Sequence, residues 1–246
     1  KEKRQAVISH AVTKGLDPNA PMKPSGIEWL SDIPAHWDAV PLKYLVSVSS
    51  GGTPSKENLD FWNGDVPWVS ARDLKAEVLN DSTYHLTEHA IETGAATLRD
   101  VGSILVLVRG MTLAKSFPVS VIARPMAINQ DLKALRGTGR VQNRYLAWLL
   151  RGSAQESLAR IDEAAHGTKA LRMDAWMSLV LPVPPTSEQD AISQFIEDET
   201  AKIDALISEA ETATDLLQER RSALISAAVT GKIDVRDAVA DDTEAA

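Results

Sequence analysis

Pro182-Val183-Pro184-Pro185-Thr186-Ser187-Glu188-Gln189 is the stretch that sets the architecture. The prolines close whatever element precedes them, because proline has no N–H to give to a ladder or a helix. Thr186, followed three residues later by Gln189, has the form of a capping box, so a helix is expected to begin there. Beyond it, apolar or small residues recur at spacings of four and three: Ile192, Ile196, Ile203, Leu206, Ala210, Ala213, Leu217, Leu224 and Ala227, with Glu199 and Arg220 interrupting the seam. Neither Gly nor Pro falls in the run before Gly231. This predicts one helix over 186–231, more than about 60 Å long at 1.5 Å per residue, which is more than an ordinary core can cover. The seam residues Ile192, Ile196, Ile203, Leu206, Leu217 and Leu224 are therefore expected to face a partner helix in a coiled coil. An amphipathic helix packed on its own domain is the alternative.

The other end of the chain repeats the end of that helix. Glu2 to Thr13 aligns with Glu219 to Thr230 with identity at Glu2, Arg4, Ala6, Ile8, Ser9, Ala11, Val12 and Thr13, an internal repeat. Residues 1–14 then read as a short N-terminal helix, the end of a helical spacer, with 15–26 as a linker. Residues 27–185 look mixed: Val101 to Val108, Val119 to Ile122 and Leu179 to Val183 read as buried strands, being short, β-branched and bounded by Gly or Pro. Tyr145 to Leu150 and Ala154 to Ile161 read as helix. Gly51-Gly52-Thr53-Pro54 and Asn63-Gly64-Asp65 read as turns. The fold class expected is α+β: a mixed α/β domain over 27–185, a long helix over 186–231 and a flexible acidic tail over 232–246.

Charge is unevenly distributed. The net charge of −8 comes from the tail: residues 187–246 carry 5 basic and 15 acidic side chains, whereas 99–172 carry 12 basic and 5 acidic. The latter segment, with Arg109, Lys115, Arg124, Lys133, Arg136, Arg140, Arg144, Lys169 and Arg172, is a candidate phosphate-facing surface. The absence of Cys from all 246 residues excludes disulfide scaffolds, thiolate zinc sites and cysteine nucleophiles, and fits a reducing cytoplasm. The longest apolar runs fall well short of the roughly 20 residues a membrane span needs.

Five motifs, in order, resemble one family. They are Gly26-Ile27-Glu28-Trp29-Leu30-Ser31-Asp32-Ile33-Pro34-Ala35-His36-Trp37 with Leu42; Gly51-Gly52-Thr53-Pro54-Ser55; Trp62-Asn63-Gly64 with Val66-Pro67-Trp68-Val69; Ala127-Ile128-Asn129-Gln130-Asp131; and Leu181-Pro182-Val183-Pro184-Pro185 with Glu188-Gln189. The segment Arg221 to Asp234 resembles the end of a helical region in the same family. The chain looks like one target-recognition domain, with its helical spacer, of the specificity subunit of type I restriction-modification systems. The resemblance implies a non-catalytic subunit that reads one half of a split sequence in double-stranded DNA. It also implies a dock for methyltransferase subunits, which use S-adenosylmethionine, and for the restriction and motor subunit that joins them. The family norm is two recognition domains and this chain has one, which leaves a homodimer or a fragment of a longer chain as the two forms. A coiled-coil assembly module without DNA specificity is the competing function.

Other chemistry fits poorly. His85-Leu86-Thr87-Glu88-His89 matches H-x-x-E-H, but Thr87 is a natural N-cap with Leu86 and Ile91 placed as a hydrophobic staple, so the two rings would not share a helical face. Asp73-Leu74-Lys75 and Asp131-Leu132-Lys133 could suggest a Mg²⁺ nuclease, but three-residue matches arise by chance. No Gly-rich loop follows a strand as in a Rossmann unit, and Pro184-Pro185 lacks the Asn or Asp of an amino-methyltransferase loop. No cofactor or metal site is expected. The residues expected to meet DNA are the loop Gly51, Gly52, Thr53, Ser55 and Lys56, whose backbone N–H groups can approach phosphate, and the cations Arg72, Arg109, Lys115 and Lys169. Asn129 and Gln130 are amides able to read adenine, or else to satisfy loop backbone. The six tryptophans are expected in the core.

Overall fold

The computed structural model describes residues 2–163 and 167–233. His166 and most of the expected acidic tail, from residue 234 on, lie outside the described residues. In chain order the elements are α1 (Glu2–Lys14), β1 (Met22–Pro24), β2 (Asp32–Pro34), β3 (Asp38–Pro41), β4 (Val46–Ser50), β5 (Trp62–Val69), β6 (Val78–Leu79), β7 (Tyr84–Leu86) and α2 (Glu88–Glu92). There follow β8 (Leu98–Arg99), β9 (Ile104–Leu107), β10 (Val119–Ile122), β11 (Met126–Ile128), β12 (Leu132–Gly137), α3 (Asn143–Gly152) and α4 (Ala154–Leu158). The last are β13 (Ile161–Glu163), β14 (Lys169–Leu171), α5 (Met173–Met177), β15 (Val180–Val183) and α6 (Thr186–Val229). The fold is the α+β one expected, with a short N-terminal and a long C-terminal helix. No helix among the described residues is long and apolar enough to cross a membrane.

The chain forms two compact units, Lys1–Glu197 and Asp198–Ala246. In the first, a five-stranded sheet has the order β4-β12-β9-β10-β6, antiparallel except for the parallel β10–β6 pair. A four-stranded sheet has the order β7-β5-β11-β8, with β5 and β11 parallel. The main core lies between the five-stranded sheet and the helices. Ile104 to Leu107 are buried from the sheet side, Tyr145 to Leu150 from α3, and Ile8, Ala11 and Val12 from α1. A smaller cluster of Val66, Trp68, Leu86, Ala90, Ala96 and Ala127 belongs to the four-stranded sheet.

Of the six passages of the chain between these two sheets, two lie side by side. The chain passes from β4 to β5 through the loop beginning Gly51, and from β11 to β12 through Asn129-Gln130-Asp131. These crossings touch: Gly52 N donates to Ile128 O at 2.9 Å.

The two ends of the first unit are joined to each other. β15 pairs antiparallel with β3, Val180 to Val183 against Pro41 to Asp38. Trp37, fully buried, donates its indole N–H to Glu188 Oε2 at 2.9 Å, and His36 Nε2 lies 2.5 Å from Glu188 Oε1. Gln189, also buried, donates to Arg140 O and Pro184 O and accepts from Gln142 N. The expected capping box is thus replaced by a longer-range arrangement, because the Gln189 amide is engaged by three backbone groups outside the helix.

Several elements differ from expectation. The strand expected from Val101 begins at Ile104, because Gly102 at φ +78° turns the chain and leaves Val101 exposed. The helix expected to reach Ile161 stops at Leu158, and Ile161 instead pairs with Leu171. Asn63-Gly64-Asp65 is a β-bulge inside β5 and not a turn: Asn63 sits at φ +64° and the pairing with β7 shifts between Trp62 and Val66. A Cβ on Gly64 would lie 2.5 Å from Leu86 O, so the bulge needs glycine for a close backbone approach.

The seam of α6 serves two purposes. Ile192 and Ile196, expected to face a partner helix, are buried in the first unit's own core, because the first turns of the helix cover it. In the second unit Ile203 is half-buried, while Leu206, Leu217 and Leu224 are 64%, 64% and 50% exposed.

Candidate nucleic-acid interface

The crossing of the two inter-sheet loops assembles most of the expected site. Gly51 has no room for a side chain: a Cβ there would lie 2.0 Å from Ile128 O and 2.4 Å from Asn129 O. Thr53 Oγ1 donates to Gln130 Oε1 at 2.5 Å, joining the two loops through side chains. Two tryptophans hold the first loop from beneath, Trp68 donating its N–H to Gly52 O and Trp62 to Ser55 O, both at 3.0 Å. Ser55 Oγ accepts from Glu57 N, so this hydroxyl shapes the loop.

Two cations converge where this loop leaves β4. Lys133 Nζ donates to Ser50 Oγ at 2.7 Å and Arg99 Nη2 to Ser50 O at 2.9 Å. Beside them, Arg109, Gln130, Asp131, Lys133 and Met173 line a cavity of about 300 Å³. Arg109 follows β9 as expected and is exposed, and its side chain has no hydrogen-bond or ion-pair partner among the described residues. Its backbone bridges Ala170, and Gly110 N donates to Lys169 O, so the β13–β14 hairpin borders the same place. Lys169 pairs with Glu163 at 3.0 Å.

Not every expected residue joins this site. Asn129 is buried; it accepts from Asp131 N and donates to Asp131 Oδ2, so it satisfies loop backbone and is not presented to a ligand. Lys56 and Arg72 line a separate pocket beneath the same loop. Lys115 lines a third, with Arg4 and Lys75. Reading by sequence missed Ser50 and Arg99 and did not single out Lys133 as a loop anchor. The signal for Lys133 is its half-buried position on a strand whose neighbours Leu132 and Ala134 are buried.

The cationic segment is more neutral than its composition suggests. Arg136 pairs with Asp100, Arg140 with Asp38, Arg144 with Glu197, Arg160 with Glu156 and Arg172 with Asp162. Arg151 points inward, donating to Val119 O and Glu77 O and lying over the Trp148 ring at 4.6 Å. Burial pushes its pKa down while Glu77 opposes the shift. The candidate phosphate surface therefore contracts to Arg99, Arg109, Lys115, Arg124 and Lys133 among the segment's basic residues.

The residues of the H-x-x-E-H match and of the Asp73 match have structural partners. Thr87 caps α2, accepting from Ala90 N, with Leu86 buried and Ile91 packed against the same cluster. His85 lies on β7 paired with Asp81, and His89 lies beside the Phe61 ring. Asp73 accepts from the backbone and hydroxyl of both Ser70 and Thr83. Burial alone would raise its pKa, but those four donors hold it below the ordinary carboxylate value.

Residues 34–212 match the family described as the type I restriction modification DNA specificity domain. Over 148 residues the chain is 28% identical to the type I restriction enzyme EcoR124I/EcoR124II specificity subunit of Escherichia coli, covering 60% of this chain and 37% of that protein. It is 22% identical over 193 residues to the MjaIX specificity subunit of Methanocaldococcus jannaschii, covering 77% and 43%. Among solved structures, a chain from a study of complex assembly and conformational transition of the type I R-M system superposes with a TM-score of 0.63 at 18% identity, over 92% of this chain and 50% of that one. The HsdS subunit from Thermoanaerobacter tengcongensis gives a TM-score of 0.57 at 17% identity, over 83% and 44%. The chain thus spans less than half the length of these curated relatives. Since the family match runs from the end of β2 well into α6, and the fold is shared with solved members, the chain belongs to the type I restriction-modification DNA specificity family.

Proposed function

We propose that the chain is a non-catalytic DNA-recognition subunit that reads one half of a bipartite target with its first unit. The observation that carries this reading is the crossing of the Gly51–Lys56 and Asn129–Asp131 loops, packed backbone to backbone, beside the Ser50-anchored cations and the guanidinium of Arg109, which is unpaired among the described residues. A rigid loop with backbone donors suits phosphate, and a forked cation beside an amide such as Gln130 suits base edges in the major groove. If Arg109, Lys133, Lys56 and Arg72 each displace one counterion, duplex affinity falls roughly 100-fold between 50 and 200 mM salt.

Arg109→Ala is expected to weaken binding to the preferred duplex by about 10-fold or more and to relax preference at one position. Arg144→Ala, which removes a cation already engaged by Glu197, should leave the salt slope unchanged. Fluorescence anisotropy on duplexes selected from a random pool measures both. Binding that ignores salt, or that is the same in the parent and Arg109→Ala, would refute the assignment.

Methyltransferase subunits dock, on this reading, through the exposed apolar residues of the second unit, including Leu206, Leu216 and Leu217, and the restriction subunit joins that assembly. The internal repeat supports a second recognition unit as a further neighbour. In α1, Ile8, Ala11 and Val12 are buried; Ser9 Oγ donates to Gly152 O, and a Cβ on Gly152 would strike Val12. Their counterparts in α6 include Ile225 and Val229, which are 53% and 82% exposed. The free copy has the residues to dock on an α3 surface like the one its twin occupies. Without other subunits, α1 already fills α3 in each copy, so the exposed Ile225–Val229 face pairs instead with the same face of a second copy, giving a two-fold dimer. Light scattering should find a dimer at micromolar concentration and a monomer for Val229→Asp, and a parent chain that is only monomeric would rule the dimer out.

A further inference from the structure

Beneath the Gly51–Lys56 loop lies an open pocket of about 470 Å³, within the range of about 300–1,000 Å³ typical of small-ligand sites. Its walls are aromatic. Trp62 and Trp68 meet edge to face with ring centroids 5.3 Å apart, and Tyr84 stands against Trp68 at 6.4 Å. Both indole N–H groups are already bonded to loop carbonyls, so the rings offer the pocket hydrocarbon and π surface only. Tyr84 is 46% exposed and Leu59 75% exposed, large apolar groups held at the rim with no core to fill.

Lys56 and Arg72 complete the lining, and no acidic side chain belongs to it. Neither cation makes a side-chain hydrogen bond or ion pair among the described residues. Aromatic walls alone would also suit a cationic ligand, but two unpaired cations at the same pocket repel one. The chemistry that satisfies both features is a flat aromatic group carrying an anion.

We propose that this pocket is a nucleotide subsite that takes one unstacked nucleotide of a DNA strand, its base against Trp62 and Tyr84 over the nearly buried Trp68, and its phosphate against Lys56 and Arg72. The proposal rests on the DNA-reading assignment and adds to it: the loop that approaches the duplex also borders, at Lys56, a place for a base that has left the stack. Unstacking costs least where the base is already unpaired, and stacking on aromatic side chains recovers part of that cost.

The test uses the full chain and three probes: dAMP, a fully paired duplex, and the same duplex with one extrahelical adenosine. Partial quenching of tryptophan emission, to which Trp62 and Trp68 contribute two of six indoles, responds to the pocket, and anisotropy reports duplex affinity. The expected result is quenching by dAMP and by the bulged duplex, with the bulged duplex bound about 10-fold more tightly than the paired one. Tyr84→Ala and Arg72→Gln should each abolish most of that preference and weaken dAMP binding about 10-fold. Arg72 lies in an exposed turn, so its variant remains informative if Tyr84→Ala disturbs β7.

Paired and bulged duplexes binding alike, in the parent and both variants, would overturn the subsite while leaving DNA reading intact. Quenching by dAMP with no preference for the bulge would overturn the strand-borne assignment and make the pocket a site for free nucleotide. If no duplex binds at all, the DNA-reading assignment fails, and a dAMP response lost in both variants would still establish nucleotide binding. No response to dAMP or to the bulge refutes the proposal outright.

Discussion

Trp37→Ala is expected to destabilise the first unit by about 3–5 kcal/mol, the usual cost of truncating a fully buried tryptophan. Against a total of about 5–15 kcal/mol for a typical domain, that is enough to leave much of the population unfolded at physiological temperature. Trp37 has no exposed surface, and its indole N–H reaches Glu188 Oε2 across 151 positions of sequence. It therefore joins the start of the domain to the first turn of α6, next to the β3–β15 pair that joins the same two regions through backbone. Trp37→Phe keeps most of the apolar volume but loses the hydrogen bond and leaves a small void, so its cost should be about 1–3 kcal/mol. Glu188→Gln should cost less than about 1 kcal/mol, because that carboxylate is partly exposed and its pairing with His36 is screened. Urea denaturation followed by circular dichroism measures all three. An alanine variant within about 1 kcal/mol of the parent would mean that the ends of the unit are not held together here.

The joint also explains why sequence reading succeeded where it did. The His36-Trp37 and Glu188-Gln189 motifs occur together because they touch. The long helix was legible because periodicity is local and nothing in Thr186–Val229 breaks it. What that helix covers was not legible: the same Ile-x-x-x-Ile spacing puts Ile192 and Ile196 in a globular core and leaves Leu206 and Leu217 exposed. Periodicity reports a face and says nothing of its neighbour.

The charged segment failed for a related reason. Arg140, Arg144 and Arg151 find Asp38, Glu197 and Glu77, acids that all lie outside the 99–172 segment. A count along the chain cannot register partners that only the fold brings near. Asn63-Gly64-Asp65 has the composition of a turn, yet the strand continues through it, since a bulge draws on the same residues with the same tolerance for positive φ. The loop at Gly51 was legible in type but not in depth: glycines announced a close backbone approach, and only the structure identified Ile128 and Asn129 as what is approached.

Two adjacent glycines in that loop should respond to the same substitution in opposite ways. In Gly51→Ala the new Cβ meets two carbonyl oxygens at 2.0 and 2.4 Å, both backbone, so no side-chain rotation can relieve it and one of the two crossing loops must move. Overpacking of this kind costs about 1–3 kcal/mol. The larger consequence is for binding. Moving the loop separates Thr53 from Gln130 and shifts the backbone donors relative to Arg109, and losing two directed contacts at about 1–3 kcal/mol each weakens specific duplex binding by roughly 100-fold. Gly52→Ala places its Cβ where nothing lies within 4 Å, and Gly52 does not occupy the left-handed region. Its N–H bond to Ile128 O survives the change. Stability should stay within about 0.5 kcal/mol of the parent, with affinity nearly unchanged. Thermal denaturation and duplex titration on the two variants, run side by side, separate loop position from loop flexibility: a general need for a flexible glycine pair would damage both, whereas the backbone contact at Ile128 and Asn129 damages only the first. Equal losses in the two variants would show that the crossing of the loops does not set the geometry of the DNA-reading surface.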